Sequence, residues 1–167
     1  GPDVEIIPYA DFGAALSDLG GQRVLVDPAF GVVALFSLLH AAGAEIVEAR
    51  DPAILMKATK NAVELQGMRA AHLRDGRAVV QFLHSLETDR PADEAEAEAR
   101  LEAIRRQSDK LRDLSFDTIS AFGANGALPH YKNSPETNLP LEDGNLYLVD
   151  SGGQYPDGTT DITRTVA

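Results

Sequence analysis

Asp150 and Asp161 have the clearest capacity for chemistry in this 167-residue sequence. Leu146, Leu148 and Asp150 share one face of an alternating apolar run, and Asp161, Thr163 and Thr165 share one face of a β-branched run. Between the runs lie Gly152-Gly153 and Pro156-Asp157-Gly158, which is strong turn chemistry. The pattern predicts a hairpin with a long loop, one carboxylate ending a strand and the other opening its partner. Two acids brought that close repel unless a proton or cation lies between them, and a hard or borderline cation suits an oxygen pair.

Three readings of the pair compete. In the plainest, both acids flank a turn and are solvated. A calcium loop of EF-hand length fits Asp150 through Asp161, but Tyr155 stands where that loop needs glycine. Its third and fifth positions are Gly152 and Gln154 rather than acids, and strands flank it instead of helices. The third reading is a hydrolase-type site in which the acids share two cations and an activated water.

The elements that would position such a site follow from patterning. Val4–Ile7 reads as a strand, Tyr9–Leu19 as a helix stopped by Gly20-Gly21, and Arg23–Val26 as a buried strand. Asp27-Pro28 reads as cap and first turn of a helix ending at Gly43, with a strand at Glu45–Glu48 beyond it. Strand, helix, strand at this spacing implies a right-handed parallel unit. A long helix follows, capped by Thr59 or Asn61 and carrying Leu65, Met68, His72, Val79, Phe82 and Leu86 at helical spacing. Gly76 inside it marks a kink or a close helix contact. Ala92–Arg112 reads as a solvated scaffold helix with a narrow stripe of Leu101, Ile104 and Leu111. Phe116–Phe122 returns to β character before a Gly123–Gly126 turn and a loop holding His130.

Composition excludes several classes. A net charge of -11 argues against nucleic acid or an anionic membrane as partner. At 44% hydrophobic and 25% charged residues the chain reads as globular, with enough length for a core. The longest apolar stretch, Gly31–Ala44, includes His40 and is too short to span a bilayer. Cysteine is absent, so no disulfide framework is expected, and with no visible signal peptide the expected location is cytoplasmic.

The run from Asp150-Ser-Gly-Gly-Gln-Tyr155 through Asp157-Gly-Thr-Thr-Asp161-Ile-Thr-Arg-Thr165 resembles the metal-ligand segment of the Xaa-Pro aminopeptidases, members of the pita-bread metallopeptidases. Three other stretches match in the same order: Lys60–Gly76, Leu114–Ser120, and Asn125-Gly-Ala-Leu-Pro-His130-Tyr131 followed by Pro135-Glu-Thr-Asn138. The resemblance implies an α/β (α+β) fold, with residues 1–54 the end of a creatinase-like α/β domain and 55–167 the first half of a pita-bread catalytic domain. It implies release of the N-terminal residue from peptides with proline second, using two divalent ions, commonly manganese. Asp150 would chelate one ion and Asp161 bridge both. His130, otherwise an unremarkable loop histidine, would lie beside the metals, contact substrate and stabilise developing charge.

Other residues receive plainer roles. His40, His72 and His84 read as helix-surface or core-edge residues. Asp157 reads as a turn residue, Thr163 as a partner orienting Asp161, and Arg164, on the opposite face, as an ion-pair residue. The family's remaining ligands, a histidine and two glutamates, are not in this sequence, so a fragment inactive by itself and weak for manganese is expected. A homodimer is a further expectation from the family. A non-catalytic pita-bread binding module and a metal-free creatinase-like hydrolase are the alternatives.

Overall fold

The computed structural model describes residues 4–167, which form two compact units divided between Lys60 and Asn61. In the first unit β1 (Arg23–Val26) and β2 (Glu45–Glu48) pair in parallel, Val24 opposite Ile46 and Leu25 opposite Val47. The helices α1 (Phe12–Ser17) and α2 (Val33–Ala42) supply Leu16 and Leu39, which bury against Val26 and Ala44. Gly43 ends α2 at φ 78°, a left-handed turn in which the Ala44 N–H reaches the Leu39 carbonyl. A short α3 (Pro52–Ala58) closes the unit, capped by the Asp51 side chain on the Ala53 N–H.

Two expectations fail in this unit. Val4–Ile7 forms no strand, and it has no ladder partner among the described residues. Asp27 does not cap α2, which starts at Val33. Its carboxylate instead accepts the N–H groups of Ala29 and Asp51, folding 27–31 into a turn and tying it to the start of α3.

The second unit is built on two helices under a sheet. Helix α4 (Ala62–Thr88) is started by Asn61, not Thr59. The Asn61 side chain accepts from the Glu64 N–H, and the Glu64 carboxylate accepts from the Asn61 N–H. Its buried face is Ala71, Asp75, Val79, Phe82 and Leu86, at spacings of three and four. Nothing lies within 4 Å of a Cβ built on Gly76, so the close contact expected there is absent. Helix α5 (Glu94–Arg105) is shorter than expected and is not a solvated scaffold helix: Glu94, Ala97, Leu101 and Arg105 are all buried.

Two three-stranded antiparallel sheets complete the unit. One orders β4 (Ile119–Phe122), β5 (Tyr147–Ser151) and β8 (Ile162–Val166), with β5 central. The other orders β3 (Asp113–Leu114), β6 (Gly153–Tyr155) and β7 (Gly158–Thr159). The expected hairpin is therefore real but longer and bent. It runs up β5 and β6 and returns along β7 and β8, changing sheet at Gly152 and Thr160. A Cβ on Gly152 would lie 1.9 Å from the Thr160 carbonyl oxygen, so only glycine permits the two strands to cross there.

A buried carboxylate fixes that bend. Both oxygens of Asp75, fully buried on α4, take the Arg105 guanidinium at 2.7 and 3.1 Å. The Tyr155 hydroxyl donates to one oxygen and the Thr160 hydroxyl to the other, each at 2.8 Å. Burial by itself pushes the Asp75 carboxyl up, but the Arg105 hydrogen bonds and charge, with the two hydroxyls, outweigh it and hold the group below its ordinary value. Removing one partner of such a pair strands the other charge without compensation, at about 3 kcal/mol or more. Asp75→Asn should thus lower the unfolding free energy by about 3 kcal/mol in denaturant titration, whereas Asp143→Asn, on an exposed pair with Arg90, should leave it unchanged. The contribution of a depressed carboxylate is fully present above its ordinary value of 3.8 and is lost as pH falls through the lower folded value. Stability of the wild type should accordingly fall more steeply than that of Asp75→Asn as a titration passes below 3.8.

Candidate metal centre

Alternation along the β4-β5-β8 sheet separates a core face from a cleft face. Tyr147 and Val149 on β5 and Phe122 on β4 point to the core, where they meet Phe82, Leu86, Ala97 and Leu101 from the two helices. Leu148 and Asp150 point the other way, opposite Ala121 and Ile119 of β4, and Asp150 lies opposite Thr163 of β8. Asp161 immediately precedes β8, two residues before the Thr163 that pairs with Asp150.

Asp150, Asp161 and His130 line one cleft of about 530 Å³, with Phe116, Leu128 and Leu148 among its apolar walls. The hairpin and the loop thus bring all three anticipated residues together. Asp150 is half-buried and its Oδ1 atom is buried with no hydrogen-bond partner, while Asp161 is exposed. A buried carboxylate oxygen that meets no donor is an atom that a bound cation would satisfy. The donor set, two carboxylates over apolar walls, fits a hard or borderline divalent ion. Among the described residues no third histidine, aspartate or glutamate joins them in a cluster able to hold a metal alone.

His130 sits in the left-handed region at φ 56°, which for a residue with a Cβ costs roughly 1 kcal/mol and persists only where the surroundings enforce it. The enforcement comes from the flanking chain. The Leu128 N–H reaches the Asn125 carbonyl, and the Tyr131 N–H reaches the Leu128 carbonyl. Tyr131, buried next to exposed His130, donates its hydroxyl to Glu94 at 2.7 Å and accepts from the Asn125 amide at 2.9 Å. Burial, together with the Glu94 bond, pushes the Tyr131 phenol up, so it remains a donor at neutral pH.

Glu94 and Asp75 were not singled out by sequence reasoning. Glu94 stands first in an acidic helix start, where a carboxylate usually serves the helix dipole from the surface. Asp75 did leave a signal: it falls on the apolar stripe between Ala71 and Val79, where only a partnered acid can be accommodated. Asp157 sits in the turn between β6 and β7, as expected, but its carboxylate also reaches a distant partner. It forms a two-pronged pair with Arg74 of α4 at 2.8 and 3.0 Å, and Arg74 in turn lies 5.0 Å from the centre of the Tyr155 ring. That pair holds the Asp157 carboxyl below its ordinary range. Arg164 forms no ion pair among the described residues, its guanidinium donating instead to the Thr163 carbonyl at 2.7 Å. Thr163 lines the cleft beside the two acids.

The family profile of metallopeptidase family M24 matches residues 66–167. Xaa-Pro aminopeptidase 1 of Dictyostelium discoideum is 41% identical over 98% of this chain, and Aminopeptidase P1 of Arabidopsis thaliana is 40% identical over 87% of it. The chain spans only 27% and 26% of those two relatives. The X-prolyl aminopeptidase of Caenorhabditis elegans, described as a cytosolic enzyme with a di-nuclear active site, matches at TM-score 0.86 and 36% identity over 98% of this chain and 28% of that one. The prolidase of Pyrococcus horikoshii shares the fold at TM-score 0.76 and 22% identity, over 99% of this chain and 46% of that one. A profile covering more than half of the sequence, and relatives about two-fifths identical along nearly all of it, place this chain in metallopeptidase family M24.

Proposed function

We propose that this chain supplies one wall of the active site of a dinuclear-metal aminopeptidase that releases the N-terminal residue from peptides with proline in second place. The observation that carries the reading is the single cleft shared by Asp150, Asp161 and His130, in which an Asp150 oxygen is buried without a partner. Asp150 and Asp161 would hold the divalent ions, with manganese the expected metal. When bound, such ions supply Lewis-acid activation of a water and of the scissile carbonyl.

The rest of the work falls to the chain itself. Asp150 is rigid because its strand is paired on both sides, and Asp161 because it follows Thr160, which is locked to Asp75. In this reading His130, at the cleft wall, donates to the oxygen that gains charge as the peptide bond is attacked. Phe116, Ile119 and Leu148 give the same space an apolar wall. The substrate partner is a peptide, the expected location is cytoplasmic as for the cytosolic relative from Caenorhabditis elegans, and a homodimer is the expected assembly.

Two carboxylates make an open, weak site, since hydrolase metal centres use about three protein ligands per ion. The 167-residue chain by itself should therefore release no N-terminal residue from an Xaa-Pro peptide with manganese present, and calorimetry should show no tight manganese site. The full-length enzyme should do both. In that enzyme Asp150→Asn and Asp161→Asn should each lower kcat/KM by roughly a thousandfold or more, about 4 kcal/mol at the transition state. Bound metal, measured by elemental analysis, should fall with activity. Full turnover with undiminished metal in either variant would refute the assignment.

A further inference from the structure

We propose that Glu94 and Tyr131 are positioning residues for His130, holding it in its left-handed conformation at the cleft wall. The inference rests on reading His130 as the group that contacts substrate.

Glu94 is fully buried, and its carboxylate collects donors from four separate places. The Phe122 N–H at 2.6 Å comes from the end of β4, and the Asn125 amide at 3.0 and 3.2 Å from the turn that follows. The Tyr131 hydroxyl at 2.7 Å comes from the residue after His130, and the Leu139 N–H at 3.0 Å from the segment leading back towards β5. One carboxylate thus ties both ends of the loop that carries His130 to the first turn of α5. The Thr137 carbonyl, 3.0 Å from the Asn125 amide nitrogen and 3.1 Å from the Tyr131 oxygen, lies across the middle of the loop as an alternative acceptor for the same protons. With Tyr131 fixed in the core, the peptide before it has little freedom, and His130 is kept at positive φ with its imidazole on the cleft. Without the tether the residue relaxes towards ordinary negative φ, and the ring leaves the wall.

The test uses the full-length, metal-loaded enzyme. Tyr131→Phe keeps the ring and deletes the tethering hydroxyl. It should lower kcat about tenfold, with a smaller change in KM and undiminished metal content. Tyr147→Phe is the matched control, because it deletes a buried hydroxyl from the same core, bonded to Ser120 at 2.8 Å, without touching the loop; kcat should be retained. The decisive arm is the double variant. Tyr131→Phe with His130→Ala should be no slower than His130→Ala alone, since a tether has no work once its cargo is gone. Effects of the two substitutions that multiply, or an unchanged kcat in Tyr131→Phe, would overturn the inference while leaving the role of His130 standing. Full activity in His130→Ala would overturn the reading of the site itself, and the inference with it. Should Tyr131→Phe fail to fold, Glu94→Gln serves in the same cycle, its amide turned against the donors from Tyr131 and Leu139.

Discussion

A carboxylate taken out of water must be met by donors, and the larger unit of this protein is arranged around satisfying two of them. Asp75 draws its donors from α5, β6 and the residue before Asp161, so the helix pair and the bent hairpin can close only in one register. Glu94 does the same for β4, the His130 loop and the segment before β5. Neither acid faces the cleft. Each nonetheless decides where a residue of the cleft can be, since Thr160 adjoins Asp161 and Tyr131 adjoins His130.

This division of labour follows from the alternation of the strands. A sheet with one face on helices and the other open must place core residues and site residues on successive positions, and β5 does so: Tyr147, Val149 and Ser151 are buried while Leu148 and Asp150 look to the cleft. A one-residue slip would put Asp150 into the helix interface and Val149 into the cleft. The bend at Gly152 guards against that slip. Because the Thr160 carbonyl occupies the space a side chain would need, and the Thr160 hydroxyl accepts the Gly153 N–H at 2.8 Å, the two halves of the hairpin are locked at a fixed point next to both acids.

The parts of the fold visible in the sequence were those with local signatures. The parallel pair β1 and β2, the Gly43 stop and the hairpin that brings Asp150 and Asp161 to one cleft follow from periodicity and turn residues. What escaped was whatever depended on a distant partner. Asp27-Pro28 has the composition of a helix start, yet the Asp51 N–H, 24 residues on, claims the carboxylate. Asp157 looks like a turn acid until Arg74, 83 residues earlier, is brought beside it. The sharpest failure is α5, whose Ala/Glu/Arg composition suits a solvated helix. Its Glu94 and Arg105 are buried only because β4, the loop and α4 present donors and an acceptor that no window of local sequence contains.

The Asp75–Arg105 pair is not a good design for stability alone. One guanidinium nitrogen of Arg105, Nη1, is buried with no partner, and a buried ion pair replaced by well-packed apolar residues is often no less stable. An apolar cluster would fill the same volume but would tolerate sliding, since dispersion contacts have little directional preference. The hydroxyls of Tyr155 and Thr160 accept no such latitude: at 2.8 Å from opposite oxygens of one carboxylate, they fix the strand ends in rotation as well as distance. The bend between β5 and β8 is thereby held in one register next to Asp150 and Asp161, a directional constraint that an apolar core of the same volume would not supply.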